Sequence, residues 1–471
     1  MPRPRRTRSR CCRSSWPRAP RRPGSPRWRS PEGGAMTENP QQIAIIGGGP
    51  AGLVAAAALA RRGIRTTVLE RDADPEVAPR FNPDRSYTID ITGHGLRALR
   101  HIDATAYFDA RLLPFKGIQR DGQVLAAWSK PGWTGARGDI VRALMARIRD
   151  GYDAHVDFRF GCRVSAVDVQ TGALTWESPD GRTETGRFGL VVGADGAGST
   201  VRQAMEHQVD GFAVETKALP NWVTMIELDR VDGRLDPRYL QALSIRHFYV
   251  AGAIPGDDGP QTPRWFCAIG SRRRQVFSSA EEARELLRRT CPQILELTSD
   301  DAVAAFARRP CYHVGQKLTC SRLHAGRCVL LGDAGGPFPP IGQGVNAAME
   351  SATVLDRCIG EAGARPAHLL DAAAAYDAAW KPEADAVSWI SERFLFGDTL
   401  NTLRSLVTMA LGVNIADRAK RDDMSYSDVR RKAMRLGPLW SQPARQRISL
   451  RSMKRIARRQ ATRANATRNA R

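Results

Sequence analysis

Apolar and polar positions along this chain follow two periods. Ile43-Ala44-Ile45-Ile46 is a continuous apolar run, the pattern of a strand buried on both faces, and the alanine-rich stretch Leu53 to Ala60 reads as a helix. Between them Gly47, Gly49 and Gly52 spell G-x-G-x-x-G. In such a turn the first glycine allows the bend, the second lets a pyrophosphate approach the backbone, and the third lets helix and strand pack closely. The helix N-terminus then offers free N–H groups and a partial positive charge. A second apolar strand, Arg65-Thr66-Thr67-Val68-Leu69, ends on Glu70 with Arg71 beside it, about where a carboxylate accepts from a ribose. A glycine triplet alone can be any tight turn. With a strand before it, a helix after it and the acid on cue, it reads as a dinucleotide-binding unit.

Further along, Arg85-Ser86-Tyr87-Thr88-Ile89-Asp90-Ile91 alternates like a strand, His94 to Tyr107 has helical spacing, and residues 138–149 form an amphipathic helix with Asp139 as a cap. Short strands are expected at 155–160, 162–168 and 173–177, with turns at Gly172 and Asp180-Gly181. A second apolar strand-to-turn stretch runs from Leu190 through Gly193-Ala194-Asp195-Gly196 to Arg202, with Ser199 or Thr200 capping a helix. Residues 211–310 change character: strand patterns around Trp222 to Asp229, Ser244 to Ala253 and Pro263 to Ile269 surround one helical segment, Glu281 to Arg289. This reads as an antiparallel sheet inserted between parts of the nucleotide unit, with aromatics that are sheet packing more often than ligand contacts. A third stretch, Cys328 to Leu331, ends on Gly332-Asp333-Ala334, continues through a Gly/Pro loop to Gly342-Gln343-Gly344-Val345-Asn346, and enters a helix near Gly344. Asp333 at a strand end can hold a polyol hydroxyl, and the helix N-terminus beyond it can stabilise negative charge.

Charge looks at first like a nucleic-acid binder. The 471 residues carry a formal net charge of +22, but residues 1–35 hold +10 of it and residues 430–471 hold +14, leaving −2 for residues 36–429. The body is near neutral. The Arg/Pro/Ser-rich head, residues 1–35, cannot build a core and lacks the apolar stretch of a secretory signal; it reads as a disordered basic head, or an upstream-extended start before Met36. The basic tail, residues 430–471, has Arg445 to Arg459 at helical spacing that could touch anionic lipid or nucleic acid; without interleaved aromatics, a solvated tail is the plainer reading and no nucleic-acid partner is expected. No 18-residue apolar run spans a membrane. Nine cysteines without a C-x-x-C pair point to reduced thiols, a cytoplasmic location and no metal site.

The three stretches, in this order, resemble the single-component FAD-dependent aromatic monooxygenases, the para-hydroxybenzoate hydroxylase group, with the kynurenine 3-monooxygenase subgroup the nearest likeness over residues 42 to about 380. The resemblance implies an α/β fold: a glutathione-reductase-type FAD-binding domain (36–210 and 311–385), an inserted, mostly antiparallel substrate sheet (211–310) and C-terminal helices (386–429). It implies that Gly47, Gly49 and Gly52 cradle the FAD pyrophosphate, with Glu70 and Arg71 at the adenosine end. Asp195 and Arg202 would serve FAD and NAD(P)H, Asp333 the ribityl chain, and Gly342, Gly344, Val345 and Asn346 the isoalloxazine ring. Arg85 would stand near flavin and substrate, making Arg85 and Asn346 the catalytic candidates. The implied reaction uses NADPH or NADH and O2 to hydroxylate an aromatic or other electron-rich small molecule through a C4a-hydroperoxyflavin. Two departures stand out. Gly335-Gly336 replaces the family's usual Ala-His, and residues 388–412 are amphipathic but charged, so they are expected to pack on the body rather than in a membrane. A reductase of the same fold is the rival reading; a flavin halogenase is disfavoured by the lack of a Trp-x-Trp-x-x-Pro stretch.

Overall fold

The computed structural model describes residues 37–78, 87–244, 247–339, 342–393 and 414–435. Its first sheet runs, edge to edge, through His324–Ala325, Cys328–Leu330, Thr183–Gly193, Thr37–Ile46, Thr66–Glu70 and Val156–Phe160. The last five of these pair in parallel. Ile43, Ala44 and Ile45 at its centre are wholly buried, as continuous apolar strands in parallel sheets are. Arg163–Val167 and Ala173–Glu177 form an antiparallel meander with Thr183–Gly193. The helix Pro50–Ala60 is apolar on every side, with Ala51 to Ala60 all buried, so it belongs inside; it packs on the long helix Gly344–Glu361.

The second sheet has eight strands in the order Tyr312–His313, Trp222–Glu227, Gly259–Ser271, Phe248–Gly256, Tyr239–Ser244, Leu113–Arg120, Gln123–Gly135 and Ile89–Ile91. One contact, Tyr239–Ser244 with Leu113–Arg120, is parallel and the others are antiparallel. The sheet therefore reaches beyond residues 211–310: its last three strands come from 89–135, where the sequence pattern had suggested one strand and one helix. Ala280–Thr290 and Asp300–Arg308, each capped by a serine hydroxyl (Ser279, Ser299), sit against it with Leu287, Val303 and Phe306 buried.

Gly344–Glu361 and Leu369–Glu392 carry the C-terminal side of the core, joined by Ile415–Ala419 and Tyr426–Met434. Tyr426, Val429 and Ala433 are buried in the main core, so the packed body continues past residue 430, into what the charge pattern marked as tail. Most of residues 388–412, and Arg85, lie outside the described residues. No described helix is long and apolar enough to cross a membrane.

Candidate active site

The glycine turn shows three different reasons for glycine. Gly47 has φ +105°, and a Cβ there would lie 2.5 Å from the Ala194 carbonyl oxygen. A Cβ on Gly52 would lie 2.0 Å from the Gly47 carbonyl oxygen. These two positions exclude side chains by packing alone. Gly49 is different: its backbone is extended (φ −77°, ψ 179°), and the nearest atom to a Cβ is the Arg137 Nη2 at 3.4 Å. The protein tolerates a side chain there, so the open approach to this backbone serves something else. Glu70 accepts from the Gly48 N–H at 2.6 Å and the Asp72 N–H at 2.8 Å, which pins the end of the second strand to the glycine turn. Arg71 points outward beside Asp72.

Asp195 and Arg202 tie the second stretch to the third. Asp195 accepts from the Thr200 N–H at 2.7 Å, and its other oxygen, Oδ1, is buried without a partner. Burial pushes its carboxyl up, against the hydrogen bonds from Ser199 and Thr200. The buried Arg202 guanidinium donates to the Ala334 carbonyl at 2.9 Å and to the Ala197 carbonyl at 2.5 Å. It thereby holds the Gly332–Ala334 turn against the Gly196–Gly198 loop.

Asp333 is accessible to solvent yet lies deep within the molecule, as a carboxylate at the floor of a cleft does. Its burial raises its pKa, and the Arg137 and Arg202 guanidiniums pull it back down. Tyr87 shares this situation: it is 54 % exposed, while its depth and the Asp333 charge raise its phenol. Arg137 therefore lies among Gly49, Asp333 and Tyr87, and a pocket bounded by Asp333, Gly336, Phe338, Gly344 and Trp380 leads on to the Gly344–Glu361 helix. The sequence reading passed over Arg137 and Tyr87. Arg137 did carry a signal: it is the first residue of the helix Arg137–Gly151, where a cation opposes the helix dipole and needs a compensating partner.

At the helix entry, Asn346 is wholly buried and its amide is committed to the protein. It accepts from the Thr92 N–H at 2.9 Å and donates to the Asp90 and Gly342 carbonyls at 2.8 and 2.9 Å. Gln343 donates to Thr92 Oγ1 and accepts from the Tyr426 hydroxyl at 3.0 Å. Val345 is half-buried against the core, and Gly344 opens the helix. Asn346 thus positions this backbone, and what the site can offer a ligand here is main-chain N–H.

The site so built, a glycine-turn anion cradle linked through Arg137 to a deep carboxylate and an uncapped helix start, is that of a dinucleotide-binding α/β protein. Its residues fit FAD: the Gly49 approach is open, and the Asp333 carboxylate is accessible at depth. Residues 41–387 match the family model "FAD binding domain". The chain is similar to the kynurenine 3-monooxygenase of Salinispora arenicola, at 30% identity over 76% of this chain and 80% of the relative. It is equally similar, at 30%, to that of Stenotrophomonas maltophilia, over 74% and 77%. Among solved structures, 2-methyl-3-hydroxypyridine-5-carboxylic acid oxygenase shares the fold at TM-score 0.60 and 20% identity, covering 80% of this chain and 96% of that one. Pseudomonas aeruginosa PqsL in complex with 2-aminobenzoylacetate does so at 0.54 and 24%, covering 75% and 95%. The chain belongs to the FAD-dependent aromatic monooxygenases. It is an FAD-dependent oxidoreductase.

Proposed function

We propose that the protein uses NADPH or NADH and O2 to place one oxygen atom on a small aromatic ring, with the site residues in the following roles. The Gly47–Gly52 turn and the Pro50–Ala60 helix start hold the FAD pyrophosphate, with Arg137 as its cationic partner. Glu70 meets the adenosine ribose, with Arg71 at the outer edge of that end. Asp333 takes the ribityl chain, Asp195 and Arg202 keep the middle of the site in register, and the Gly342–Asn346 backbone faces the isoalloxazine ring. Arg85, outside the described residues, is assigned to the substrate. The first sheet and its helices form a glutathione-reductase-type FAD-binding domain, and the second, mostly antiparallel sheet supplies the substrate wall. When bound, FAD takes hydride from the nicotinamide nucleotide and activates O2 for transfer to an electron-rich ring. The protein binds and orients the partners, offers main-chain N–H groups to developing negative charge, and keeps water out.

The observation that carries this reading is Gly49, a glycine that the protein itself does not need, facing Arg137 and the deep carboxylate of Asp333. Free cysteines at seven buried positions are in keeping with a reducing, cytoplasmic setting. The test is turnover under labelled oxygen. NAD(P)H oxidation should be slow alone and rise with the right aromatic, and the product should carry one atom from O2 and none from water. Equal turnover without air, or product without new oxygen, would make the protein a reductase of this fold.

A further inference from the structure

The loop that leaves the end of strand Gly259–Ser271 carries three consecutive arginines, Arg272, Arg273 and Arg274, all exposed, and no role assigned above uses it. Ser271 pairs in register with Trp222, which also pairs with His313, so the loop emerges near the outer edge of the second sheet. Three contacts fix it there. The Arg274 guanidinium lies over the Trp222 ring at 6.0 Å, the Gln275 N–H donates to Cys311 Sγ at 3.4 Å, and Phe277 packs on the sheet's core beside Phe306. Val276, between two inward contacts, is 69% exposed, and Tyr312 on the edge strand is 41% exposed. Arg308, three residues ahead of Cys311, is a fourth exposed cation.

The carboxylates of the adjoining elements are committed elsewhere. Glu281 pairs with Arg284 and Arg288, Glu282 accepts from the Ser278 N–H and hydroxyl, and Glu227 pairs with Arg264 and Arg309. Among the described residues no acid pairs with Arg272, Arg273, Arg274 or Arg308. A pinned loop of uncompensated arginines with an apolar side chain at its tip has the make-up of segments that hold an anionic bilayer. We propose that this loop docks the protein on an anionic phospholipid surface. Arg272, Arg273 and Arg274 lie against headgroup phosphates and carboxylates, and Val276 and Tyr312 enter the interfacial layer. A stable protein partner would need about 800 Å² per side around an apolar core, and only two large apolar side chains project here. A single-stranded nucleic acid is held by successive aromatic platforms. Here Trp222 is covered by Arg274 and set edge-on to His313 at 5.0 Å, which leaves Tyr312 alone.

The full-length holoprotein is sedimented with vesicles of phosphatidylserine in phosphatidylcholine, and with vesicles of phosphatidylcholine alone. Wild type should bind the first far better than the second, and should leave it as salt is raised. Each arginine near an anionic leaflet contributes roughly fivefold to partitioning. Arg272→Gln/Arg273→Gln should therefore lose about 25-fold, and the triple variant with Arg274→Gln about 100-fold. Lysine at the same three positions should keep wild-type binding, and Val276→Asp should weaken binding with every arginine in place. FAD content and melting temperature should stay at wild-type values, which separates docking from folding. If the triple variant does not fold, the double variant still decides, because it keeps the Arg274 contact with Trp222. The basic residues that end the chain can meet the same vesicles, but linked contacts multiply, so the loop's share stays visible. Glutamine variants that partition like wild type would assign the binding to those residues and overturn the proposal. Wild type that ignores phosphatidylserine would overturn it too, as would loop variants that lose duplex DNA or polyglutamate while keeping the vesicles.

Discussion

Replacing Gly49 should separate folding from the proposed cofactor binding. Gly49 already has an extended backbone open to any residue, and a Cβ meets only the end of the Arg137 side chain at 3.4 Å. Gly49→Val should therefore leave the apoprotein nearly as stable as wild type. Adding a side chain at this helix cap costs about 1 kcal/mol at most, and the loss of glycine's freedom in the unfolded chain returns about 0.4–1 kcal/mol of it. The same methyl groups stand where a pyrophosphate would receive hydrogen bonds from the helix start. Each charged hydrogen bond contributes about 1.5–3 kcal/mol, so losing one or two weakens FAD by roughly 10- to 10⁴-fold.

The assay has two arms. Flavin content of purified Gly49→Val should fall far below that of wild type, and the melting temperatures of the two apoproteins should agree within a few degrees. Wild type should gain stability on adding FAD and the variant should not; at a ligand excess of 100 Kd the missing gain is about 2.7 kcal/mol. Gly52→Ala is the contrast, since its methyl would overlap the Gly47 carbonyl at 2.0 Å and should lower the apoprotein's melting temperature itself. Full flavin in Gly49→Val, or an apoprotein as damaged as that of Gly52→Ala, would refute the assignment of the turn.

Other outcomes follow from the same geometry. Arg202→Ala leaves the buried Ala334 carbonyl without its donor, so it should cost about 1–3 kcal/mol in thermal stability and loosen FAD along with it. His94 is stacked on Tyr426 and pushed down to about 3 by burial and the neighbouring Arg97, from an ordinary value of 6.5. Unfolding takes up a proton between those values, so stability is full above about pH 6.5 and falls by about 2–4 kcal/mol as pH drops toward 3. Melting curves of His94→Gln should lack that part of the slope. A chain ending at Arg435 should keep FAD and turnover, while one ending at Ser425 loses the buried Tyr426, Val429 and Ala433 and should lose about 3–5 kcal/mol, read by denaturant unfolding.

The parts of the site that the sequence showed plainly are those whose chemistry is local. Gly47, Gly49 and Gly52 sit within six residues, and the strand, turn and helix that give them meaning are contiguous with them. Gly332-Asp333-Ala334 was legible for the same reason. Arg137 and Tyr87 were not, because each is brought in from a distant element whose own pattern speaks only of packing: a helix start and a strand approach. Asn346 shows the opposite effect. Its motif was visible, but the direction of its side chain depends on Thr92 and Asp90, which arrive from the strand and helix around residue 90. The second sheet was read short because Leu113–Arg120 and Gln123–Gly135 mix apolar and polar positions with breaks in register, which blurs a period of two.

Those long-range bonds also explain how the helix entry can serve a ligand. A helix start leaves its first N–H groups without intrahelical partners, and a side-chain cap normally takes them. In Thr200–Gln208, Ala280–Thr290, Asp300–Arg308 and Tyr426–Met434 a serine does so. Gly344–Glu361 is preceded by Gln343, whose side chain makes no cap bond because it is spent on Thr92 and Tyr426. Asn346 likewise turns its donors to the Asp90 and Gly342 carbonyls. Both amides therefore stiffen the entry without consuming its N–H groups, and among the described residues nothing comes within 4 Å of a Cβ built on Gly344. A charged residue in either place would have fixed the loop equally well but would have added its own field where the proposed reading puts the flavin ring. Two neutral amides, anchored by Tyr426 from the last described helix, add no charge of their own to the dipole of the 18-residue helix. Residues 414–435 thus shape the proposed flavin-ring end through Gln343, a contribution that the motif Gly342-Gln343-Gly344-Val345-Asn346 cannot reveal by itself.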